Sequence, residues 1–205
     1  MKSRKIYLLR HGEIEKDNEK RYIGRLDLPL SVAGRQQAAR LRDYLAKLEI
    51  EAVYCSDLSR ARDTAQIICE INNIKPILCK GLREINLGEW EGKTFSEIKE
   101  MFPDAYYRRG KDLSRFQPPG GESFHQCSIR GMTALYEILR NSKGNILAVA
   151  HAGLNRGIIC HVLGIPLENL FRIEQDYGCL NELTFNNTGF SVSRINFIQS
   201  DKAGN

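Results

Sequence analysis

The chain has 205 residues, of which 42% are hydrophobic and 27% are charged. This length and composition are typical of a soluble globular protein with a full hydrophobic core, so we expect a single domain over residues 1–205. The net charge of +5 is spread along the chain rather than gathered into a basic tail, which argues against a nucleic-acid-binding protein.

The sequence contains no segment that predicts a membrane or metal-binding protein. No apolar stretch approaches the length of a transmembrane helix, and the apolar run near the N-terminus is too short for a signal peptide. The six cysteines form no C-x-x-C pair and lack metal-ligand spacing, so we expect reduced thiols. These features predict a cytoplasmic protein with no membrane partner.

A short apolar run begins almost at the N-terminus and ends at a charged tripeptide. The run at 6–9 is typical of a buried parallel strand, and Arg10-His11-Gly12 follows it directly. In open α/β sheets, ligands bind just beyond the carboxyl ends of the strands. Arg10 and His11 are therefore candidates for a functional site.

Helices and strands then alternate along the chain. Ser31 is a good N-cap for a helix whose apolar residues recur at three- and four-residue spacing as far as Leu48. A strand at 52–55, a helix at 59–71 and a further strand at 76–79 follow. This order predicts a mostly parallel sheet with helices on its faces.

The second half of the chain continues this pattern with one interruption. After a helix near 94–101, residues 102–121 are rich in Pro, Tyr, Arg and Gly, and we expect an excursion there rather than a core element. A long amphipathic helix at 123–140 precedes a second strong buried strand at 145–150, which also ends in a histidine, His151. Alternating apolar residues in the tail predict two or three strands, with an antiparallel one among them.

Two histidines at the ends of two strong strands, with arginines nearby, indicate a site for a phosphoryl group. A neutral imidazole such as that of His11 can attack phosphorus in line, and the phosphohistidine so formed is labile enough to be hydrolysed. Arginine suits the phosphoryl oxygens because its planar fork binds phosphate through two hydrogen bonds. Arg10 and Arg62 are the candidates for this role.

The leaving alkoxide of such a reaction needs a proton, which a carboxyl group can supply. Glu84, at the mouth of the third predicted strand, is the best-placed acid. Spacing alone does not exclude three rival acids, Glu13, Glu89 and Glu91. We assign the two other histidines to structure: His125 lies near the start of the long helix, and we expect His161 to be half-buried within a later one.

Five segments, in order along the chain, carry a family pattern. They are Leu8-Leu9-Arg10-His11-Gly12-Glu13, Gly24-x-x-Asp27-x-Pro29-Leu30-Ser31-x-x-Gly34, the run from Ser56 to Ala65, Leu82-x-Glu84-x-x-x-Gly88-x-Trp90-Glu91-Gly92, and Val149-Ala150-His151-Ala152-Gly153. Together they resemble the motifs of the histidine phosphatase superfamily, in its phosphoglycerate-mutase-like branch. The resemblance implies a three-layer α/β/α sandwich around a mostly parallel mixed sheet.

The resemblance also implies roles for particular residues. His11 would be the nucleophile and Glu84 the proton donor, while Arg10, Arg62 and His151 would form the phosphate pocket. No metal or other cofactor is implied, since arginines supply the positive charge that metal ions supply in other phosphatases.

The loop after His11 departs from the family pattern. Many relatives have Ser or Thr where this chain has Ile14, and Asn where it has Asp17. That Asn commonly helps to hold the phosphate, whereas an ionised Asp would repel it, and Asn18 could substitute if the loop shifts by one residue. We treat Asp17, Asn18, Gly24 and Gly153 as candidate substrate-binding residues.

Within the family, two segments are similar to phosphatases rather than mutases. The stretch after Glu84 resembles the phosphatase side of the branch. The sequence Pro118-Pro119-Gly120-Gly121-Glu122-Ser123 is similar to that of α-ribazole phosphatases of cobalamin assembly and of broad-specificity phosphatases. We therefore expect a phosphomonoesterase that acts on a small phosphorylated metabolite, with α-ribazole 5′-phosphate as the leading substrate.

Three other functions remain as alternatives, namely a broad-specificity phosphatase, a phosphoglycerate mutase and a non-catalytic protein that binds a phosphorylated ligand. Residues 102–121 either cap the pocket, where their aromatic and basic side chains would contact the substrate, or form a solvated surface loop. The sequence leaves the oligomeric state open, a homodimer included.

Overall fold

The structure is a computed structural model that describes residues 3–16, 19–71 and 74–199. The described strands form one six-stranded sheet, in the order β3-β2-β4-β1-β5-β6. These strands are β1 (Arg4–Arg10), β2 (Ala52–Cys55), β3 (Ile77–Leu78), β4 (Ile146–Ala150), β5 (Leu180–Asn186) and β6 (Gly189–Phe197). The α-helices are α1 (Val32–Leu45), α2 (Ser59–Cys69), α3 (Phe95–Met101), α4 (Pro103–Lys111), α5 (Phe124–Asn141) and α6 (Ala152–Leu163). None of these described helices is both long and apolar enough to cross a lipid bilayer.

Strand β1 lies in the middle of the sheet, between a parallel and an antiparallel neighbour. It pairs parallel with β4, where Arg10 lies opposite Ala150, and antiparallel with β5. Strands β2 and β3 extend the parallel part of the sheet, whereas β6 pairs antiparallel with β5 at the other edge. The predicted mostly parallel mixed sheet is confirmed, and the tail contributes two strands.

Alternate side chains of β1 pack on opposite faces of the sheet, as the pleat of a strand requires. Ile6 and Leu8 belong to the core cluster that includes residues of α5 and α6. Tyr7 and Leu9 belong to a second cluster with residues of α1 and α2. Helices therefore cover both faces, which gives the expected three-layer α/β/α architecture.

Side-chain caps mark the starts of several helices. The Ser31 hydroxyl accepts a hydrogen bond from the backbone N–H of Gly34 at the start of α1, as predicted. At the start of α5, Ser123 and Gln126 form a reciprocal capping box, and the helix proper begins at Phe124. Each such cap satisfies backbone N–H groups that the first turn of a helix leaves without partners.

The segment 102–121 is mostly exposed, but several of its side chains pack against the core. It contains α4, whose first residue is Pro103, a position where proline costs no hydrogen bond. Phe102, Tyr106, Leu113 and Phe116 pack against the larger core cluster. The polar and glycine-rich composition concealed these anchoring side chains.

Candidate active site

A pocket of about 510 Å³ opens at the carboxyl end of β1. We refer to four of its lining residues, Arg10, His11, Arg60 and Glu84, as the pocket floor. Its outer part, the pocket rim, is lined by Lys16, Glu19, Lys20, Arg21, Ile23 and Phe95, and the remaining lining residues are Ile14 and Tyr177. The predicted location at the carboxyl end of the first strand is therefore where the structure places the pocket.

His11 is buried and is held in one tautomer. Its Nδ1 lies 2.7 Å from the carbonyl oxygen of Gly12. Because a carbonyl can only accept, Nδ1 carries the proton and Nε2 is left with its lone pair. Burial, and next the positive charges of Arg60 and Arg10, hold the pKa of His11 well below its usual value. The ring is therefore neutral at neutral pH, which is the form a nucleophile requires.

Close backbone packing fixes the loop that carries His11. The backbone N–H of Gly12 donates to Thr64 Oγ1 at 3.1 Å. A Cβ atom on Gly12 would lie 2.4 Å from the carbonyl oxygen of Gly34, in the first turn of α1. Only glycine allows this approach, so the motif after β1 and the start of α1 fit together as a unit.

Helix α2 presents Arg60, and not Arg62, to the pocket. Arg60 is 1% exposed, and it donates from Nη1 to the carbonyl of Leu26 at 2.7 Å and from Nη2 to that of Gly24 at 2.5 Å. Arg62 does not line the pocket; its side chain is 44% exposed, and its Nε lies 3.5 Å from the Asp63 carboxylate. Residues two apart on a helix point roughly 200° away from each other. The structure therefore corrects the prediction of Arg62.

Arg10 is oriented by an aromatic ring and a backbone carbonyl. Its guanidinium carbon lies 3.6 Å from the centre of the Tyr177 ring, and its Nη1 donates to the carbonyl of Gln175 at 2.5 Å. The buried Arg10 Nε has no hydrogen-bond partner among the described residues. An anion in the pocket would supply the acceptor that this donor lacks.

The Glu84 carboxylate is docked against the N-terminus of α6. It accepts hydrogen bonds from the backbone N–H groups of Gly153 and Leu154, and from that of Ile85, each at 2.9 Å. A Cβ atom on Gly153 would lie 2.6 Å from Glu84 Oε1. Gly153 therefore makes room for the carboxylate, which explains why glycine stands at the end of the second histidine motif.

The three rival acids do not line the pocket. Glu91 instead accepts hydrogen bonds from the backbone N–H groups of Gly24, Arg25 and Leu26. Gly24 in turn presents its carbonyl to Arg60. The structure thus places Gly24, a candidate substrate-binding residue, in the loop that orients Arg60.

His151 is fully buried directly behind the pocket: it is not among the lining residues, but it lies beside His11, which is. The centres of the two imidazole rings are 5.0 Å apart. Neither ring nitrogen of His151 has a hydrogen-bond partner among the described residues. Burial, then the neighbouring His11 and Arg60, lower the pKa of His151 well below its usual value. Leaving a buried polar group unpaired costs about 1–3 kcal/mol, and a bound anion that accepts from the ring N–H would remove this cost for the nitrogen that donates.

Other predicted positions fall outside this arrangement. His125 and His161 are both exposed, so the expectation of a half-buried His161 was wrong. No residue of 102–121 is among those that line the pocket, so the lining gives no support to the first of the two alternatives, a cap. Asp17 and Asn18 lie outside the described residues.

Sequence reasoning missed Arg60, Tyr177 and the basic residues of the rim. The signal for Arg60 was present, because Arg60 shares one face of α2 with Thr64 and Ile68, both buried. Tyr177 has no such signal, since it follows no strand and reaches the site only through the folded chain.

Comparisons with known proteins identify the family and the fold. The family described as "Histidine phosphatase superfamily (branch 1)" matches residues 6–198. The glucosyl-3-phosphoglycerate phosphatase of Mycolicibacterium vanbaalenii is 33% identical over 177 residues, 82% of this chain and 78% of that protein. The adenosylcobalamin/alpha-ribazole phosphatase of Escherichia coli is 27% identical over 192 residues, 93% of this chain and 94% of that one. A crystal structure of the alpha-ribazole phosphatase from Shigella flexneri superposes with a TM-score of 0.85 at 26% identity, covering 97% of this chain and 100% of that one.

Proposed function

This chain belongs to branch 1 of the histidine phosphatase superfamily, and we propose that it hydrolyses a small phosphate monoester through a phosphohistidine formed at His11. One observation carries the proposal. A buried imidazole, neutral and with its Nδ1 bonded to Gly12, lies on the pocket floor together with Arg10, Arg60 and the buried carboxyl group of Glu84.

In the first step, the lone pair of His11 Nε2 attacks phosphorus and the bond from phosphorus to the ester oxygen breaks. The departing alkoxide takes a proton from Glu84. The guanidinium groups of Arg10 and Arg60 bind the phosphoryl oxygens, and the N–H of His151 donates to one of them. Negative charge that develops on the phosphoryl oxygens in the transition state is thus stabilised by donors that the fold holds in place.

In the second step, water attacks the phosphohistidine. Glu84, now a carboxylate, accepts a proton from this water, and the bond between phosphorus and Nε2 breaks. Inorganic phosphate is released, and both His11 and Glu84 return to their starting forms. One acid–base group thus serves both half-reactions.

α-Ribazole 5′-phosphate, an ester of cobalamin assembly, is our leading candidate for the substrate. Two α-ribazole phosphatases support it, since each matches more than nine-tenths of the chain. The rim also offers an aromatic side chain, Phe95, which is 42% exposed and suits an aromatic base.

A phosphorylated carboxylic acid is the second candidate. Lys16 and Lys20 line the outer pocket and would attract a second anionic group on the leaving side. The Mycolicibacterium relative acts, by its name, on such a substrate. In either case the metabolite carries the phosphate into the pocket floor and its remaining part against the rim.

Phosphate release from a panel of substrates, all with a chelator present, tests the proposal. The panel comprises α-ribazole 5′-phosphate, nucleotides, sugar phosphates, phosphoserine, glucosyl-3-phosphoglycerate and 3-phosphoglycerate. A preference of about 100-fold in kcat/KM for the ribazole ester, roughly 3 kcal/mol of discrimination, supports a role in cobalamin assembly. A flat profile would indicate a broad-specificity phosphatase, whereas isomerisation of phosphoglycerate without phosphate release would indicate a mutase. Tight binding of phosphate with no turnover of any substrate would overturn the proposed catalytic function and indicate a non-catalytic protein that binds a phosphorylated ligand.

A further inference from the structure

Next to the pocket, the guanidinium group of Arg130 forms hydrogen bonds with the backbone of the segment that carries Glu84. Arg130, on α5, donates from Nη1 to the carbonyls of Gly81 at 2.8 Å and Arg83 at 2.9 Å. Its Nη2 lies 3.3 Å from the carbonyl of Glu84 itself. The short 3₁₀ turn Lys80–Leu82 ends just before this point. Glu84 thus has no place in a helix or strand, and the side chain of Arg130 supplies the partners that such elements would give to backbone carbonyls.

Glu122 binds Arg130 and also holds the backbone on the C-terminal side of Glu84. Its carboxylate accepts from Arg130 Nη2 at 2.6 Å and from Arg130 Nε at 3.2 Å. The same carboxylate accepts from the backbone N–H of Asn86 at 2.9 Å, while the N–H of Glu122 donates to the Asn86 carbonyl at 2.8 Å. Arg25 adds a weaker pair of contacts, to Glu122 at 3.2 Å and to the carbonyl of Glu84 at 3.4 Å.

We propose that Arg130, together with Glu122, is a positioning pair that aims the Glu84 carboxyl group at the leaving oxygen. Neither residue lines the pocket, so both act through Glu84. The side chain of Glu84 is fixed by the N-terminus of α6, and its backbone is fixed by the pair. Releasing the backbone would move the carboxyl group, and a displacement of about 1 Å can cost roughly 100-fold in rate.

This inference rests on the proposed role of Glu84 as proton donor, and the dependence of the rate on the leaving group tests it. An alkyl phosphate such as glycerol phosphate releases a strongly basic alkoxide that needs the proton. p-Nitrophenyl phosphate releases a stable anion that departs without one. kcat/KM reports on phosphoryl transfer to His11, the step in which the leaving group departs, whatever limits kcat.

For Arg130→Met, we expect kcat/KM to fall about 100-fold with glycerol phosphate and less than about fivefold with p-nitrophenyl phosphate. Glu122→Gln keeps the shape of the side chain but removes its charge. We expect kcat/KM with glycerol phosphate to fall about 10-fold, again with a smaller loss on p-nitrophenyl phosphate. Arg130→Lys keeps the charge but loses the planar fork, so we expect the same selectivity for the leaving group with a loss smaller than that of Arg130→Met. Glu122→Gln also keeps the test open if Arg130→Met does not fold.

Two controls make the outcomes distinct. Arg4 is a buried arginine at the other end of the sheet that binds the carbonyls of Leu139 and Gly144; Arg4→Met should lower the Tm without any dependence on the leaving group. Glu84→Gln should show the leaving-group dependence in full, and its absence there would contradict the proposed function itself. The positioning role is overturned if Glu84→Gln shows the leaving-group dependence but the folded Arg130 and Glu122 variants do not. Those variants would then lose activity equally on both substrates, or lose none on either.

Discussion

The two arginines of α2 allow a sharp test of the proposed phosphate site. Arg60 and Arg62 are two residues apart, yet only Arg60 lines the pocket. Of the five N–H donors of the Arg60 guanidinium, two are bound to the carbonyls of Leu26 and Gly24, which leaves three for a phosphoryl group. Lysine at this position would keep the charge but lose the planar fork, and with it at least one charge-assisted hydrogen bond.

A hydrogen bond to a charged group contributes about 1.5–3 kcal/mol, so Arg60→Lys should lower kcat/KM by about 10- to 150-fold. Inorganic phosphate should also inhibit the variant less strongly than the parent. Arg62→Lys is the matched control, and we expect a change of less than about twofold because that side chain is half-exposed and lies beside Asp63.

Steady-state kinetics on both variants, with circular dichroism and Tm to confirm folding, would decide the matter. A large loss in Arg62→Lys with little change in Arg60→Lys would refute the assignment drawn from the geometry. Equal, small changes in both would show that neither arginine binds the phosphoryl group.

Four further predictions follow from the site. His11→Ala should abolish turnover and leave the fold intact, as measured by phosphate release and Tm; appreciable residual hydrolysis would exclude His11 as nucleophile. Activity should survive excess EDTA because Arg10 and Arg60 supply the positive charge, and a rate that collapses with EDTA would contradict this. Gly153→Ala should lower kcat/KM at least 10-fold by displacing the Glu84 carboxylate, whereas Gly110→Ala, where an added Cβ contacts nothing within 4 Å, should not; equal effects would argue against the docking role of Gly153. Finally, the urea-unfolding free energy should fall as the pH drops from 7 to 5.5. Below pH 6.5 the unfolded chain binds protons that the folded chain excludes from His11 and His151, each contributing a slope of up to about 1.4 kcal/mol per pH unit. His11→Asn should reduce that slope, and an unchanged slope would contradict the lowered pKa of His11.

The strands that organise the site could be predicted because burial gives them a recognisable sequence pattern. A central parallel strand is buried on both faces and is therefore apolar at consecutive positions, as in β1 and β4. His11 and His151 could be predicted for the same reason, since each follows directly after such a run. Glu84 was proposed from its position after the third predicted strand, but the family pattern was needed to separate it from its rivals, and no strand or helix in the described structure carries it.

The features that could not be predicted depend on which way a side chain points in the folded chain, and residue type alone does not show this. Arg60 and Arg62 are chemically equivalent in a linear motif, and only the rotation of α2 separates them. α4 was missed because its anchoring residues are separated by polar ones, so that the apolar face emerges only when the helix is packed. Tyr177 reaches Arg10 through the fold alone.

The pocket floor and the pocket rim differ in how firmly the fold holds their side chains. Arg10 lies on β1 and Arg60 on α2, and the N-terminus of α6 holds the carboxylate of Glu84. Much of the rim belongs to the connection between β1 and α1, where Lys16 and Lys20 are exposed. Substitutions at these two exposed positions would change what contacts the outer part of a substrate, while the side chains of the floor stay in place.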